Sequence, residues 1–455
     1  MSGGIPGAGP RGVRLTRRTL VAGLALLGSG VGASGARAQA SEAAPADTPA
    51  KGETPPAPIR IGLAHPVAGR FGALGGRCRL GAYRAIATVN AAGGIASLGG
   101  ARLEPFEGNI GPASGAAAEV VQAMNGAAVA AIVGAATTPL SRQVAEAAAR
   151  VSLPHLVDGA IGSAATNPET GRSLRIGPDY DQFIDGLVAL LDGMVANEHI
   201  RARVTEATED AAAARDDRPA PDATIALLRD PHAYGERVEE DIRARLSGTT
   251  GTAPTRSFAI ERVLDFPPQP SESAGLLGFL QEPEADVVVM VGYGEAQAAL
   301  FAAAAERALV PRAPVIGFLG GISTSDRFGP AALRGAEGVV ELTVAPDPAK
   351  EGTAALRESF ALWNIPLSLD AYLAHESVML LADALERAAT TDRSAVLEAL
   401  AAGAWDSASL PFGPTAFAAG RNDSAVPQGF QLRKGVLVPI GTDGAGFAGV
   451  SQRGG

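Results

Sequence analysis

Ile59 to Gly76 reads "IRIGLAHPVAGRFGALGG", and the reading of this stretch decides the fold. A β-rich run, "IRIGLAH", gives way to a glycine loop, and the loop to a helical pattern, "RLGAYRAIATVNAAGG". A dinucleotide-binding domain begins in the same order, with G-x-G-x-x-G directly after the strand so that backbone N–H groups meet the pyrophosphate at the helix N-terminus. Here the glycines are Gly69, Gly72, Gly75 and Gly76, with Pro66 and bulky Phe71 between strand and loop, so the fingerprint is absent. No Gly-Lys-Ser/Thr occurs in the chain, which removes the Walker A loop as well. The stretch is therefore expected to be the first strand-to-helix turn of an open sheet. Its glycines let the backbone come close to a small ligand.

Outward from this turn, short β-rich runs alternate with helical segments for nearly three hundred residues. The strand candidates are "ARLEPFEG", "VAAIVGA", "LPHLVDG", "ATIALLRD", "FAIERVLDF", "ADVVVMVGY", "APVIGFL" and "EGVVELTV". Apolar strands of this kind, separated by helices, predict mainly parallel sheets covered on both faces. After about Pro346 helices dominate, and two β-like runs, "LPFGPTAFAA" and "PQGFQLRKGVLVPIG", close the pattern. Lys434-Gly435 predicts a tight hairpin turn between the halves of the second run.

The N-terminus is expected to be an export signal over residues 1–40. It joins a basic segment, "RGVRLTRRTL", to a short apolar core and a small-residue end, "ARAQAS". Arg17-Arg18 resembles the twin-arginine type, with cleavage near Ala38 or Ala40. Residues 41–57 are a Pro/Ala/Glu/Thr tether. The whole chain carries −10, and loss of the five arginines of the first forty residues, which contain no acid, leaves about −15. An acidic surface argues against nucleic acid or an anionic membrane as partner. The stretch from Ala196 to Ala223 is charged, lacks an apolar face and is read as a surface insertion.

Catalytic chemistry is poorly supplied. Cys78 is the sole cysteine, so there is neither an intrachain disulfide nor a cysteine metal cluster, and it reads as a buried small hydrophobe. The five histidines are scattered, without the i, i+4 pair of a zinc protease helix, and no G-x-S-x-G elbow is present. His65 and His155 stand out only because they fall at strand ends, where ligands of open sheets sit. What the sequence does offer is a series of small, hydroxyl and aromatic groups at successive strand-to-helix junctions: Thr137 and Thr138, Gly159 and Ala160, Tyr234, Tyr293, and Phe318. Together they suit a crevice for a small ligand, which needs a few aimed polar groups in an apolar wall.

These segments in order, from "IRIGLAHPVAGRFGALGG" through "GAYRAIATVNAAGGI", "LPHLVDGA", "NPETGRSLRIGPDYDQ" and "IALLRDPHAYGERV" to "DVVVMVGYGEAQAALFAAA", resemble the periplasmic leucine/isoleucine/valine-binding protein family. These are the type I solute-binding proteins of ABC importers, and the similarity runs from Pro58 to about Gly441. The resemblance implies an α/β fold of two lobes, each a mainly parallel sheet flanked by helices, joined by three hinge crossovers around a ligand cleft. It divides the chain into 58–178 plus 346–404 for one lobe and 179–345 plus 405–441 for the other, with 442–455 as a tail. It implies a monomeric, non-catalytic periplasmic receptor without cofactor that delivers a small molecule to an ABC permease.

The same resemblance places Thr138 where a hydroxyl holds the ligand's carboxylate, Gly159 and Ala160 in a second backbone wall, and Tyr234 and Tyr293 as aromatics from the other lobe. Three departures set this chain apart: Leu319 stands where amino-acid binders carry the carboxylate that pairs the ligand's ammonium, Ile161 where they have a threonine, and Leu74 where they have a tyrosine. With Phe71 and Leu74 as wall residues and Glu295 read as a helix-dipole partner, an ammonium in the closed cleft would lack a counter-charge. The expected ligand is an aromatic or aliphatic carboxylate, or an uncharged amide. Two alternatives share parts of this reading: a periplasmic sensor or accessory module without a transporter, and a Tat-exported nucleotide-dependent oxidoreductase.

Overall fold

A computed structural model describes residues 55–111, 115–196, 221–251, 253–292, 294–318, 321–323, 328–441 and 446–447. The export signal, most of the tether, residues 197–220 of the expected insertion, Tyr293, Leu319 and most of the tail lie outside the described residues.

The first half alternates strand and helix: β1 (Ile59–His65), α1 (Gly72–Ala91), β2 (Leu103–Asn109), α2 (Ala116–Gly126), β3 (Ile132–Gly134), α3 (Thr138–Arg150), β4 (His155–Val157) and β5 (Ser173–Arg175). The second repeats the plan with α4 (Tyr180–Ala196), β6 (Ala223–Arg229), α5 (Ala233–Leu246), β7 (Phe258–Asp265), α6 (Leu277–Gln281), β8 (Val287–Val291), α7 (Gly294–Glu306), β9 (Val315–Phe318), α8 (Pro330–Gly335) and β10 (Val340–Thr343). Then come α9 (Gly352–Leu362), α10 (Leu369–Ala388), α11 (Arg393–Ala401), the two-residue strands β11 (Phe417–Ala418) and β12 (Arg421–Asn422), and the hairpin β13 (Gln428–Arg433) and β14 (Val436–Gly441).

Two seven-stranded sheets result, ordered β11-β12-β5-β4-β3-β1-β2 and β14-β13-β10-β9-β8-β6-β7. From β2 to β5 and from β7 to β10 every pairing is parallel, while β13 and β14 run antiparallel at the edge of the second sheet. The parallel strands are buried because helices cover both faces, and Val287 to Val291 is buried without interruption. Lys434 and Gly435, both at positive φ, make the hairpin turn that the dipeptide predicts.

The last lobe boundary differs from the expectation. Residues 405–441 were assigned to the second lobe, yet β12 pairs with β5 of the first sheet, and Trp405, Leu410, Phe412 and Phe417 pack into the first lobe's core. Only the hairpin after about residue 427 joins the second sheet. Trp405, Leu410, Phe412 and Phe417 pack on apolar side chains of α9, α10 and α11, and burying that surface favours the first lobe.

In each sheet the strand order reverses once, between β1 and β3 in the first lobe and between β6 and β8 in the second. Crevices for ligands in open α/β sheets form at the carboxyl ends of strands at this reversal.

Candidate functional site

In the first lobe the loops after β3 and β4 lie side by side. Gly159 sits against the backbone of Ala136, and the Gly162 amide donates to Thr138 Oγ1 at 3.0 Å. Thr137, in extended conformation ahead of α3, has a buried hydroxyl that finds no hydrogen-bond partner among the described residues. Leu74, on α1, is half-buried against Cys78, Ala136 and Ala374. Phe71, at the start of that helix, is also half-buried.

A cavity of about 20 Å³, room for one water, lies between the lobes. Gly159, Ala160 and Ile161 line it from the loop after β4, Phe183 from α4, and Leu369 and Leu373 from α10. Asp158 and Arg175 supply its charged groups. The Arg175 guanidinium is 3% exposed and donates through one nitrogen to Ala160 O at 3.1 Å and Gly162 O at 2.9 Å. Burial pulls its pKa down to about 10, with Asp179 acting against the shift. Ile161 also packs on the second lobe's core beside Tyr180 and Tyr234.

The structure thus brings Gly159, Ala160 and Ile161 to one cavity, sets Thr138 against the same loop, and puts Tyr234 on the cluster that Ile161 touches. It separates Phe318 from them: that ring is fully buried among Leu227, Val289 and Ile316 in the sheet core, so its side chain serves packing. Glu295 is exposed at the start of α7. Sequence reasoning passed over Asp158, Arg175, Phe183, Leu369 and Leu373. Asp158 and Arg175 had a signal, since each is a charged residue in or beside an apolar strand and so must find a buried partner.

Behind the wall lies a polar cluster. His65 Nε2 is 2.5 Å from Asp158 Oδ2, with both side chains fully buried, and donor atoms of His65, Cys78 and Asp158 fall within 4.8 Å of one another. His155 bridges Ser173 Oγ at 3.0 Å and Gly134 O at 2.9 Å, and burial lowers its pKa to about 4, which keeps the imidazole neutral. Arg77 donates twice to Asp370 Oδ2, at 3.2 and 2.9 Å; burial raises that carboxyl to about 6 against the pull of Arg77.

A second buried acid joins the lobes. Glu341 accepts from the Ser323 amide at 2.9 Å, and Ser323 O accepts from Leu369 N of α10 at 3.0 Å. Burial raises the Glu341 pKa from 4.5 to about 7, partly offset by its bonds from Ser323. A raised acid stabilises the fold fully below its unfolded pKa and loses that contribution as pH rises through the folded value. The stability difference between Glu341→Gln and wild type should therefore shift in favour of the variant by roughly 3 kcal/mol between pH 4.5 and pH 8, from about 1.4 kcal/mol per unit. Urea unfolding at both pH values measures it; a difference that does not change with pH would show that Glu341 stays ionised.

The periplasmic binding protein family matches residues 58–434. Among solved structures, the branched-chain amino acid transporter substrate binding protein LivJ from Streptococcus pneumoniae, in complex with isoleucine, aligns with TM-score 0.61 and 18% identity over 84% of this chain and 99% of that one. A solute binding protein of an ABC transporter from R. palustris, in complex with benzoate, aligns with TM-score 0.57 and 17% identity over 84% and 96%. One from Rhodopseudomonas palustris BisB5, in complex with 3,4-dihydroxy benzoic acid, gives 0.57 and 15% over 84% and 96%. No curated protein sequence matches the chain. Among the described residues no helix is long and apolar enough to cross a membrane. The match across both lobes, together with two mainly parallel seven-stranded sheets flanked by helices, makes this chain a member of the periplasmic binding protein family, with the two-lobe type I fold.

Proposed function

We propose that this chain is an exported receptor that captures a small organic carboxylate or amide between its lobes and delivers it to an ABC permease, without catalysing a reaction. The observation that carries the reading is the cavity wall: backbone of Gly159 and Ala160 beside Thr138, faced by Ile161, Phe183, Leu369 and Leu373. Such a wall offers hydrogen bonds to one polar end and apolar surface to the rest of a ligand. Asp158, the acid at the cavity, is engaged by His65, and Glu295 is exposed. Among the described residues a ligand ammonium would find no carboxylate devoted to it, so an ordinary branched-chain amino acid is the wrong occupant. Benzoate and dihydroxybenzoate bound by relatives of the same fold are of the expected class. Tyr293 and Leu319 stay part of the proposed site from the resemblance alone. Export by the twin-arginine route, cleavage near Ala38 or Ala40, and function as a monomer complete the proposal.

A thermal-shift screen of the mature protein against aromatic acids, short aliphatic acids, amides and amino acids tests it. A true ligand at a hundred times its Kd stabilises by about 2.7 kcal/mol. Thr138→Ala should then weaken that ligand about tenfold, roughly 1.4 kcal/mol, because the hydroxyl that positions the Gly162 amide is gone. Strong stabilisation by leucine or valine would refute the ligand class. Unchanged affinity in Thr138→Ala would remove that residue from the site.

A further inference from the structure

Three residues far apart in sequence meet behind the cavity wall. His65 ends β1, Cys78 lies on the second turn of α1, and Asp158 follows β4; all three side chains are fully or almost fully buried, and their donor atoms lie within 4.8 Å of one another. His65 Nδ1 and Asp158 Oδ1 have no hydrogen-bond partner among the described residues. Buried polar atoms are nearly always satisfied, so a buried cluster with two orphans is short of partners, while His65 Nε2 and Asp158 Oδ2 face each other at 2.5 Å. We propose that His65, Cys78 and Asp158 hold a single late first-row divalent metal ion of the zinc class.

The donor set selects the ion. A thiolate and an imidazole favour zinc, cobalt, nickel or copper over magnesium and calcium, which prefer oxygen cages. The charge also balances. One thiolate and one carboxylate neutralise a divalent cation, so the loaded site is neutral in surroundings where an unpaired charge is costly. On binding, the thiol proton leaves to the buffer and the sulfur lone pair goes to the metal.

The geometry needs small adjustments only. Metal–ligand bonds of about 2.0–2.3 Å at tetrahedral angles separate donor atoms by about 3.3–3.6 Å. His65 and Asp158 must part by less than about 1 Å from their present contact, and the sulfur must close by a similar amount. His155 is engaged by Ser173 and Gly134, so it stays outside the ligand set. The fourth position falls to water or to a donor arriving through the cavity, which Asp158 also lines.

Titrating cobalt(II) into the full exported chain, reduced and without a histidine tag, tests the site. A thiolate-to-cobalt charge-transfer band should rise and saturate at one equivalent, and zinc should bleach it. Cys78 is the sole cysteine, so the band has one assignment. The near-isosteric Cys78→Ser should lose the band and bind zinc more than about 100-fold weaker by dye competition, since even outer-shell changes cost 10–100-fold. No band in wild type, or equal zinc affinity in Cys78→Ser, would overturn the proposal. Neither result bears on capture of an organic ligand, which the thermal-shift screen reads separately.

Discussion

Arg175→Leu is expected to cost about 3–5 kcal/mol of stability and to abolish stabilisation by the cavity's ligand. Arg175 is the last residue of β5, is 3% exposed and carries a charge into the protein. One terminal nitrogen holds the carbonyls of Ala160 and Gly162, and the other lies 3.9 Å from Asp179 Oδ2. Leucine would strand two inward carbonyls and leave Asp179, 6% exposed, with Arg421 at 3.9 Å as its nearest cation. Breaking a buried pair by removing one partner costs about 3–5 kcal/mol because the other charge stays behind. The loop that Arg175 holds is the cavity wall, so affinity should fall with stability. Arg175→Lys keeps the charge without the fork and should recover part of the stability but little of the binding. Denaturant unfolding with and without ligand separates the two effects. A loss under about 1 kcal/mol in the leucine variant would mean that water can replace the guanidinium.

The two sheets were legible because their strands are buried on both faces and read as apolar runs between helices, as in "VVVMV". β5 was not, since "SLR" puts a serine and an arginine into a three-residue buried strand and carries no period. β11 and β12 are two residues each and are tied to the first sheet by long-range bonds such as that from Asn422, which donates to Ile176 O at 2.9 Å. Pairings of this kind, 246 residues apart, leave no local trace in the chain. The misplaced third crossover follows from the same cause.

For the site, position was legible and partnership was not. Glycine and hydroxyl residues after β3 and β4 could be picked out because they follow strand ends of an open sheet, where ligands sit. Phe318 ends β9 with its ring fully buried in the sheet core, so a strand-end position alone did not mark a crevice residue. His65 reads from the sequence as a strand-end residue. Its contact with Asp158 depends on the register of β1, β3 and β4, which is set by the whole sheet. Cys78 reads as a buried small residue and is one, packed on Ala136 and Ala374.

Gly81→Ala should destabilise by about 3 kcal/mol or more, although alanine is the better helix former by about 1 kcal/mol. A Cβ at Gly81 would stand 1.9 Å from Ala371 O and 2.9 Å from its Cα, so backbone meets backbone where α1 crosses α10. No side chain can rotate away, and the helices must part. Overpacking in a close-packed core usually costs about 1–3 kcal/mol, and a contact with no rotamer to yield belongs at or beyond the upper end. Gly76, on the same helix, is the control: a Cβ there meets nothing within 4 Å, so Gly76→Ala should be neutral or stabilising by up to about 1 kcal/mol. The consequence reaches the site, because the first turns of α10 carry Leu369 and Leu373 to the cavity and Asp370 to Arg77. Parting α1 from α10 would therefore lower ligand affinity as well as the unfolding midpoint. Equal midpoints for the two alanine variants would show that α10 yields freely at Ala371, and that the cavity's apolar wall is not held by this crossing.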